Sequence, residues 1–160
     1  MSANGWEGRR FQVRVEEDGF EIAVTPPAVA IVAEDAEGRI VLVEQERRAV
    51  GNRLLELPAG LIDDGEEPLA AARRELREET GLRGGEWRQL AAFWSSPGFT
   101  DEHVTVFAAT GLEEGETELD DTEEIELVRW TRAEVEAGVA GLEDATTIVG
   151  LLLYLRDASR

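Results

Sequence analysis

The segment from Gly60 to Leu82 constrains this chain more than any other part of its sequence. Pro68 suits the first turn of a helix and Gly81 suits the position just after its end, which predicts a helix over Pro68 to Thr80. With 3.6 residues per turn, one face of that helix carries three glutamates: Glu75, Glu78 and Glu79. Like charges at these spacings each destabilise a helix by roughly 0.2–0.5 kcal/mol, so something else must hold this face together.

The spacing of the glutamates alone leaves two explanations open. Carboxylate oxygens, without Cys or His, select hard cations, so Mg²⁺ is the first expectation and Mn²⁺ the second. Such cations would neutralise a pyrophosphate and activate a water for attack on phosphorus. The other explanation is a solvated acidic face whose glutamates pair with nearby arginines: Arg73, Arg74 and Arg77.

The overall charge of the chain limits its partners. The formal net charge is −19, from 35 acidic and 16 basic residues. Such a surface repels nucleic acid, and it repels a small anionic substrate unless cations are bound locally. The longest apolar run, Ile148 to Leu155, is too short to cross a membrane. With no cysteine and no apolar leader, the sequence predicts a cytoplasmic protein without a membrane partner.

The length of 160 residues predicts one domain over 1–160 with a single sizeable core. Strands are predicted over Phe11–Glu16, Phe20–Thr25, Ala28–Glu34, Ile40–Gln45, Glu86–Trp94, Val104–Ala109 and Ile125–Thr131. Helices are predicted over Pro68–Thr80, Arg132–Ala137 and Asp144–Arg156. The last helix is apolar on almost every side, which predicts burial between layers or against another subunit. We therefore expect a mixed sheet with few helices.

The full order of residues in Gly60 to Leu82 resembles one known pattern. Gly60 is followed by Glu66, by Arg74-Glu75-Leu76, by Glu78-Glu79 and by Gly81-Leu82. These residues match the Nudix box at every defined position, so the chain resembles the Nudix hydrolase family. The resemblance implies an α/β/α sandwich carrying a loop-helix-loop metal site, which acts on a nucleoside diphosphate linked to another moiety.

The resemblance also implies roles for individual residues. Glu66 and Arg74 would brace the loop as a buried pair, and we expect Arg74 to be one of the catalytic residues. Glu78 would be a further metal ligand or would orient the attacking water. The implied metal ligands are the backbone carbonyl of Ala59 and the carboxylates of Glu75, Glu78 and Glu79.

Downstream of the box, the segment Ser95 to Glu102 resembles the ADP-ribose pyrophosphatase subgroup, in which a proline stands at about the position of Pro97. The Pro97-Gly98 turn can bring backbone N–H groups near a ligand. Glu102 would be the general base or would hold the catalytic water, and the alternative is a plain loop carboxylate. The substrate contacts expected from this loop are Ser96, Gly98 and Phe99.

Upstream of the box, Val43 to Arg47 and Leu55 to Gly60 resemble the same subgroup. Arg47 is expected to bind the substrate phosphates, because a planar guanidinium binds them bidentately. Two alternatives remain open: Arg47 forms a surface ion pair with Glu44 or Glu46, or Arg48 is the phosphate ligand instead.

The N-terminal strands, within residues 1–27, fit those that in this subgroup exchange between two subunits and complete the adenosine pocket. The resemblance therefore implies a homodimer with N-terminal antiparallel strands. Phe20 would stack on the base and Glu21 would accept a hydrogen bond from it, although an aromatic residue on a strand more often belongs to the core.

The leading hypothesis is metal-dependent hydrolysis of the pyrophosphate bond of ADP-ribose, which gives AMP and ribose 5-phosphate. The alternatives are another nucleoside diphosphate sugar such as GDP-mannose, a nucleoside triphosphate, or an ADP-ribose sensor that does not cleave its ligand. The intact glutamate set argues against the sensor, because a pure binding module has no need of repelling carboxylates.

Overall fold

The computed structural model describes residues 5–8, 11–117 and 125–157. Within them, a three-stranded sheet consists of β1 (Gly5–Glu7), β2 (Gln12–Val15) and β3 (Glu21–Val24). A seven-stranded sheet consists of β4 (Ala28–Glu34), β5 (Ile40–Arg47), β6 (Asn52–Glu56), β7 (Ala59–Leu61), β8 (Arg83–Trp94), β9 (His103–Glu113) and β10 (Glu126–Trp130). The helices are α1 (Pro68–Thr80), α2 (Arg132–Gly138) and α3 (Ala145–Asp157), with a 3₁₀ turn at Val139–Gly141.

The larger sheet is mixed and opens between β4 and β5. Its strand order is β10-β5-β4-β9-β8, and only β4 and β9 are parallel. The end of β4 pairs with the start of β5, after which the two strands diverge. β6 then pairs with the second half of β5, and β7 pairs with the first half of β4. The segment from Gly60 to Leu82, called the Nudix-box segment below for the pattern it resembles, therefore starts inside this opening of the sheet.

Two hydrophobic cores lie on opposite faces of the sheet. Successive residues of β4 point alternately to each face: Val29 and Ile31 pack on the α1 side, whereas Ala30 and Val32 pack on the α3 side. Both faces of β4 are buried, as expected for a strand covered by helices on both sides. This arrangement confirms the predicted α/β sandwich with a mixed sheet.

Helix α1 begins and ends where its sequence predicts. Glu67 at the N-cap position is extended, and Pro68 occupies the first turn. Gly81 adopts a left-handed conformation with φ 75°, and its N–H donates to the carbonyl of Arg77. Leu76 and two alanines of α1 are buried against the sheet, so the glutamates lie on the remaining faces of the helix.

Three strands were missed by the sequence patterns: β1, β6 and β7. They have three to five residues each, and β7 contains a glycine. β6 forms a hairpin with β5, whereas β7 is held in place by pairing with β4, which lies further away in the sequence. Residues 1–4 and 9–10 of the predicted N-terminal strands lie outside the described residues. Of the described helices, none has the length and apolar character needed to cross a membrane.

We predict that Gly81→Ala destabilises the fold more than Gly38→Ala does. Both glycines have positive φ, which costs a residue with a side chain roughly 1–2 kcal/mol. A Cβ on Gly38 meets open space, whereas a Cβ on Gly81 would lie 2.4 Å from the carbonyl oxygen of Gly115. Urea unfolding of both variants measures the difference in unfolding free energy. Equal losses of unfolding free energy in the two variants would show that the close approach of Gly81 to the carbonyl of Gly115 does not affect stability.

Candidate functional site

The start of β7 lies directly against the glutamate face of α1. The N–H of Ala59 donates to Oε2 of Glu79 over 3.1 Å, and the Glu79 side chain is buried. Gly60 touches the carboxyl group of Glu75 so closely that a Cβ at this position would lie 2.0–2.3 Å from its atoms. The glycine is therefore needed to leave room for a carboxylate. Two of the three predicted metal-binding glutamates meet the backbone of Ala59 and Gly60.

Arg74 links the loop to the same glutamate face. Its guanidinium donates to Glu66 through Nε at 3.1 Å and Nη2 at 2.9 Å, and Nη2 also donates to the carbonyl of Leu61. Nη1 donates to Glu75 at 2.6 Å and to Glu78 at 3.4 Å. The hydrogen bond to Glu66, followed by the hydrogen bond to Glu75, raises the pKa of Arg74. The pKa of Glu66 is lowered, first by Arg74 and then by the N–H of Asp63.

Both explanations of the glutamate face therefore find support in its contacts. The pairing of Arg74 with Glu75 and Glu78 is the arginine pairing that the acidic-face explanation requires. Among the described residues, no three acidic or histidine side chains stand together in the geometry of a metal site. The donors nevertheless fit a divalent cation, since all are oxygens and Gly60 leaves room for the Glu75 carboxylate. Binding a cation there requires the ion pairs of Arg74 with Glu75 and Glu78 to open.

Arg47 is held by a carboxylate that the sequence reasoning did not consider. Its Nε donates to Oε1 of Glu56 at 2.8 Å and its Nη2 donates to Oε2. Within the described part of the chain, neither Glu44 nor Glu46 forms an ion pair with Arg47. Glu56 is 4% exposed. The hydrogen bond from Arg47 to Glu56 raises the pKa of Arg47, and the negative charges of Asp144 and Glu79 raise it further. The alternative candidate, Arg48, is exposed in the turn after β5.

The loop from Ser95 to Glu102 packs on the N-terminal sheet. Ala23 of β3 exchanges backbone hydrogen bonds with Phe99 and Asp101. The N–H groups of Phe99 and Thr100 donate to the carbonyl of Ser96, so they are engaged inside the fold. A surface depression of about 250 Å³ lies between the loop and the sheet, and it is lined by Arg14, Phe20, Ile22, Trp94, Pro97, Phe99, Thr100 and Asp101.

The predicted substrate residues are thus only partly brought together. Phe20 and Phe99, 52% and 59% exposed, line the same depression. Glu21 is exposed on β3, and Gly98 lies at the exposed tip of the loop, but neither lines the depression. Trp94 is 55% exposed, because it stands at the end of the edge strand β8 beside the depression.

Strand pairing places Glu102 and the Nudix-box segment at the same end of the sheet. Ala28 of β4 pairs with Leu61 of β7 on one side and with Val104 of β9 on the other. Adjacent strands are about 4.8 Å apart, so Leu61 and Val104 are separated by about 10 Å across β4. Glu102 is half-buried and immediately precedes β9.

Sequence reasoning missed Glu56, Asp144 and Thr147. Glu56 is a carboxylate in the apolar run Leu54 to Leu57, and this was a usable signal of a paired buried charge. Asp144 caps α3 by accepting from the N–H and the hydroxyl of Thr147 at 2.7 Å each. Nothing local in the sequence indicates that the same hydroxyl also accepts from the N–H of Leu57.

Comparison with known proteins finds a matching family and several similar proteins. The family model described as NUDIX domain matches residues 24–145. The chain is similar to the ADP-ribose pyrophosphatase of Mycobacterium tuberculosis, with 50% identity over 110 residues that cover 66% of this chain and 53% of that protein. It is also similar to the ADP-ribose pyrophosphatase of Bacillus subtilis, with 41% identity over 131 residues that cover 81% of this chain and 65% of that protein. The matches thus span between about half and two thirds of these relatives.

A solved structure described as "Crystal structure of ADP compounds hydrolase" superposes with a TM-score of 0.82. The match covers 98% of this chain and 92% of the other, at 24% sequence identity. At this identity the likeness concerns the fold alone. The α/β/α sandwich is therefore supported by an independent structure.

We predict that Gly60→Ala weakens binding of a divalent cation without unfolding the protein. The added Cβ displaces the Glu75 carboxylate, and this group moves easily because it ends a flexible side chain. Mn²⁺ titration followed by electron paramagnetic resonance, together with the thermal unfolding midpoint (Tm), checks both parts. Gly141→Ala is the control, because a Cβ there meets open space. Unchanged Mn²⁺ affinity in Gly60→Ala would contradict the role of Glu75 as a ligand.

Proposed function

The chain belongs to the Nudix family, and we propose that it hydrolyses the pyrophosphate bond of ADP-ribose to give AMP and ribose 5-phosphate. The observation that carries this proposal is the packing of Ala59 and Gly60 against Glu79 and Glu75, which brings these two carboxylates to the backbone at the start of β7. The names of the relatives from M. tuberculosis and B. subtilis support ADP-ribose as the substrate.

Nudix hydrolases generally depend on a divalent metal ion, and we propose Mg²⁺ here, with Mn²⁺ as a substitute. The carbonyl of Ala59 and the carboxylates of Glu75, Glu78 and Glu79 would hold it. When bound, it would neutralise charge on the pyrophosphate oxygens and acidify the attacking water. Its charge also offsets the repulsion between an anionic substrate and a protein of net charge −19.

The protein's own side chains have separate tasks in this proposal. Glu102 takes the proton from the attacking water, and its position at the same end of the sheet as Gly60 supports this role. Glu78 orients that water or acts as a further ligand. Arg74 braces the box loop through Glu66 and supplies positive charge beside Glu75.

Arg47 is proposed to bind a phosphate of the substrate. The buried carboxylate of Glu56 holds Nε and Nη2, which fixes the plane of the guanidinium. Among the described hydrogen bonds Nη1 of Arg47 has no acceptor, so this atom is available to a phosphate oxygen. The charge of Glu79 is close enough to act on Arg47, which supports a phosphate site next to the metal ligands.

The depression beside β3 is proposed to receive the base of the nucleotide. Phe20 and Phe99 offer exposed aromatic faces there for stacking. Glu21, next to Phe20, would accept a hydrogen bond from the base. Ser96 and Gly98 would contact the substrate from the loop, with Gly98 at its exposed tip.

A homodimer is part of the same proposal. None of the described strand residues of the three-stranded N-terminal sheet is buried, and Trp6, Phe11 and Phe20 beside or within these strands are exposed. A sheet of this size needs another surface to cover its apolar side chains. A second copy of the chain would cover them and complete the base site.

A side-by-side assay of ADP-ribose, GDP-mannose and a nucleoside triphosphate tests the substrate. With Mg²⁺ and with Mn²⁺, we expect release of AMP from ADP-ribose to be the fastest reaction. Faster release of GMP from GDP-mannose would refute ADP-ribose as the preferred substrate. Binding of ADP-ribose without release of AMP in millimolar Mg²⁺ would identify a sensor instead.

We predict that Glu79→Gln lowers turnover by at least about 100-fold, because changes to groups that only orient metal ligands already cost 10–100-fold. The amide keeps the size of the side chain and an acceptor for the N–H of Ala59 but loses the charge. Steady-state turnover and Tm are the measurements. Glu67→Gln is the matched control, since Glu67 is exposed at the N-cap of the same helix and makes no side-chain cap hydrogen bond. Near-normal turnover in Glu79→Gln would refute the metal assignment.

A further inference from the structure

The backbone of the segment Leu57 to Ala59 forms hydrogen bonds with three different elements. The N–H of Leu57 donates to Oγ1 of Thr147 in α3 over 2.9 Å. The carbonyl of Pro58 accepts from the N–H of Ile31 in β4 over 2.9 Å. The N–H of Ala59 donates to Glu79 in α1 over 3.1 Å. These three bonds fix the short connection that leads from β6 into the candidate metal site.

The hydroxyl of Thr147 is oriented for its contact with Leu57. Thr147 is 1% exposed, and its single hydroxyl proton goes to Oδ2 of Asp144 over 2.7 Å. A lone pair of the same oxygen is then directed to the N–H of Leu57. The bond therefore depends on the hydroxyl and not only on the shape of the side chain.

Helix α3 also presses on the side chain of Leu57. A Cβ on Gly150, one turn beyond Thr147, would lie 2.6 Å from Cδ1 of Leu57. Leu57 is 1% exposed and belongs to the core between the sheet and α3. The helix thus fixes Leu57 through both its backbone and its side chain.

The connection between Leu57 and Ala59 is stiff enough to transmit a displacement. Pro58 has a fixed φ, and a residue before proline is restricted to extended conformations. A shift of the Leu57 backbone is therefore passed to Ala59 instead of being absorbed between them. Ala59 in turn holds the carboxylate of Glu79.

We propose that Thr147 is a positioning residue of the metal site. Through Leu57 it fixes the backbone of Ala59 and hence the carboxylate of Glu79, so that both present their oxygens to one cation. The inference rests on the proposed function in one respect, namely that Ala59 and Glu79 are metal ligands. It assigns to the C-terminal helix, remote in sequence from the Nudix box, a share in the affinity for the cation.

Mn²⁺ binding in the absence of substrate tests this role directly. Thr147→Val removes the hydroxyl and keeps the shape of the side chain, and we expect it to weaken Mn²⁺ binding by about 10–100-fold, as loss of an orienting group does in other metal sites. Thr147→Ser retains the hydroxyl and is expected to restore the affinity. Thr146→Val makes the same chemical change at the neighbouring, half-buried position of α3 and is expected to bind Mn²⁺ as the wild type does.

The Tm of each variant and its turnover of ADP-ribose are measured beside the Mn²⁺ titration. A lower Tm with unchanged Mn²⁺ affinity in Thr147→Val would overturn the inference, because Thr147 would then only stabilise the fold. If Thr147→Val does not fold, Thr147→Ala gives the same comparison without an added methyl group. A wild type that binds Mn²⁺ but leaves ADP-ribose intact would refute the proposed substrate, and weakened binding in the variant would still support the role of Thr147.

Discussion

At the start of β7, the backbone of Ala59 and Gly60 lies against two carboxylates of α1, and the rest of the candidate site is arranged around this contact. Gly60 leaves the space for Glu75, and the N–H of Ala59 fixes Glu79. The opening between β4 and β5 makes the contact possible, because it lets the strand before α1 enter the sheet beside Val29. Helix packing on the same face of β4 then sets the distance between the two elements.

Several carboxylates on one helix face require nearby positive charge. The protein supplies it with arginines that are each bound by a further glutamate. Arg74 is bound by Glu66, and Arg47 is bound by Glu56, so each guanidinium is fixed by one acid while it faces others. A partly buried ion pair contributes little net stability, because desolvation offsets part of its attraction. Its value here is geometric, since it limits the positions that the charged groups can take.

The sequence predicted the parts of the molecule that depend on local rules. Helix α1 follows from Pro68, Gly81 and the spacing of its glutamates, and the buried strand β4 follows from its apolar run. Strands β6 and β7 could not be predicted in this way, because both are short and because β7 is held in place by β4, a strand that is distant in the sequence. The same limit explains why Glu56 and Thr147 were missed: their partners lie on other elements.

The hydrogen bond between Leu57 and Thr147 joins residues that are 90 positions apart. Closing a loop of this length costs conformational entropy, and contacts between residues so far apart in the sequence slow folding. The proposed role of Thr147 makes the final geometry of the acidic face of α1 depend on docking of α3 on the sheet. During synthesis, a chain that contains the complete Nudix box but not yet α3 would then lack the contact that positions Ala59 and Glu79, so the competence of the site would depend on completion of the fold.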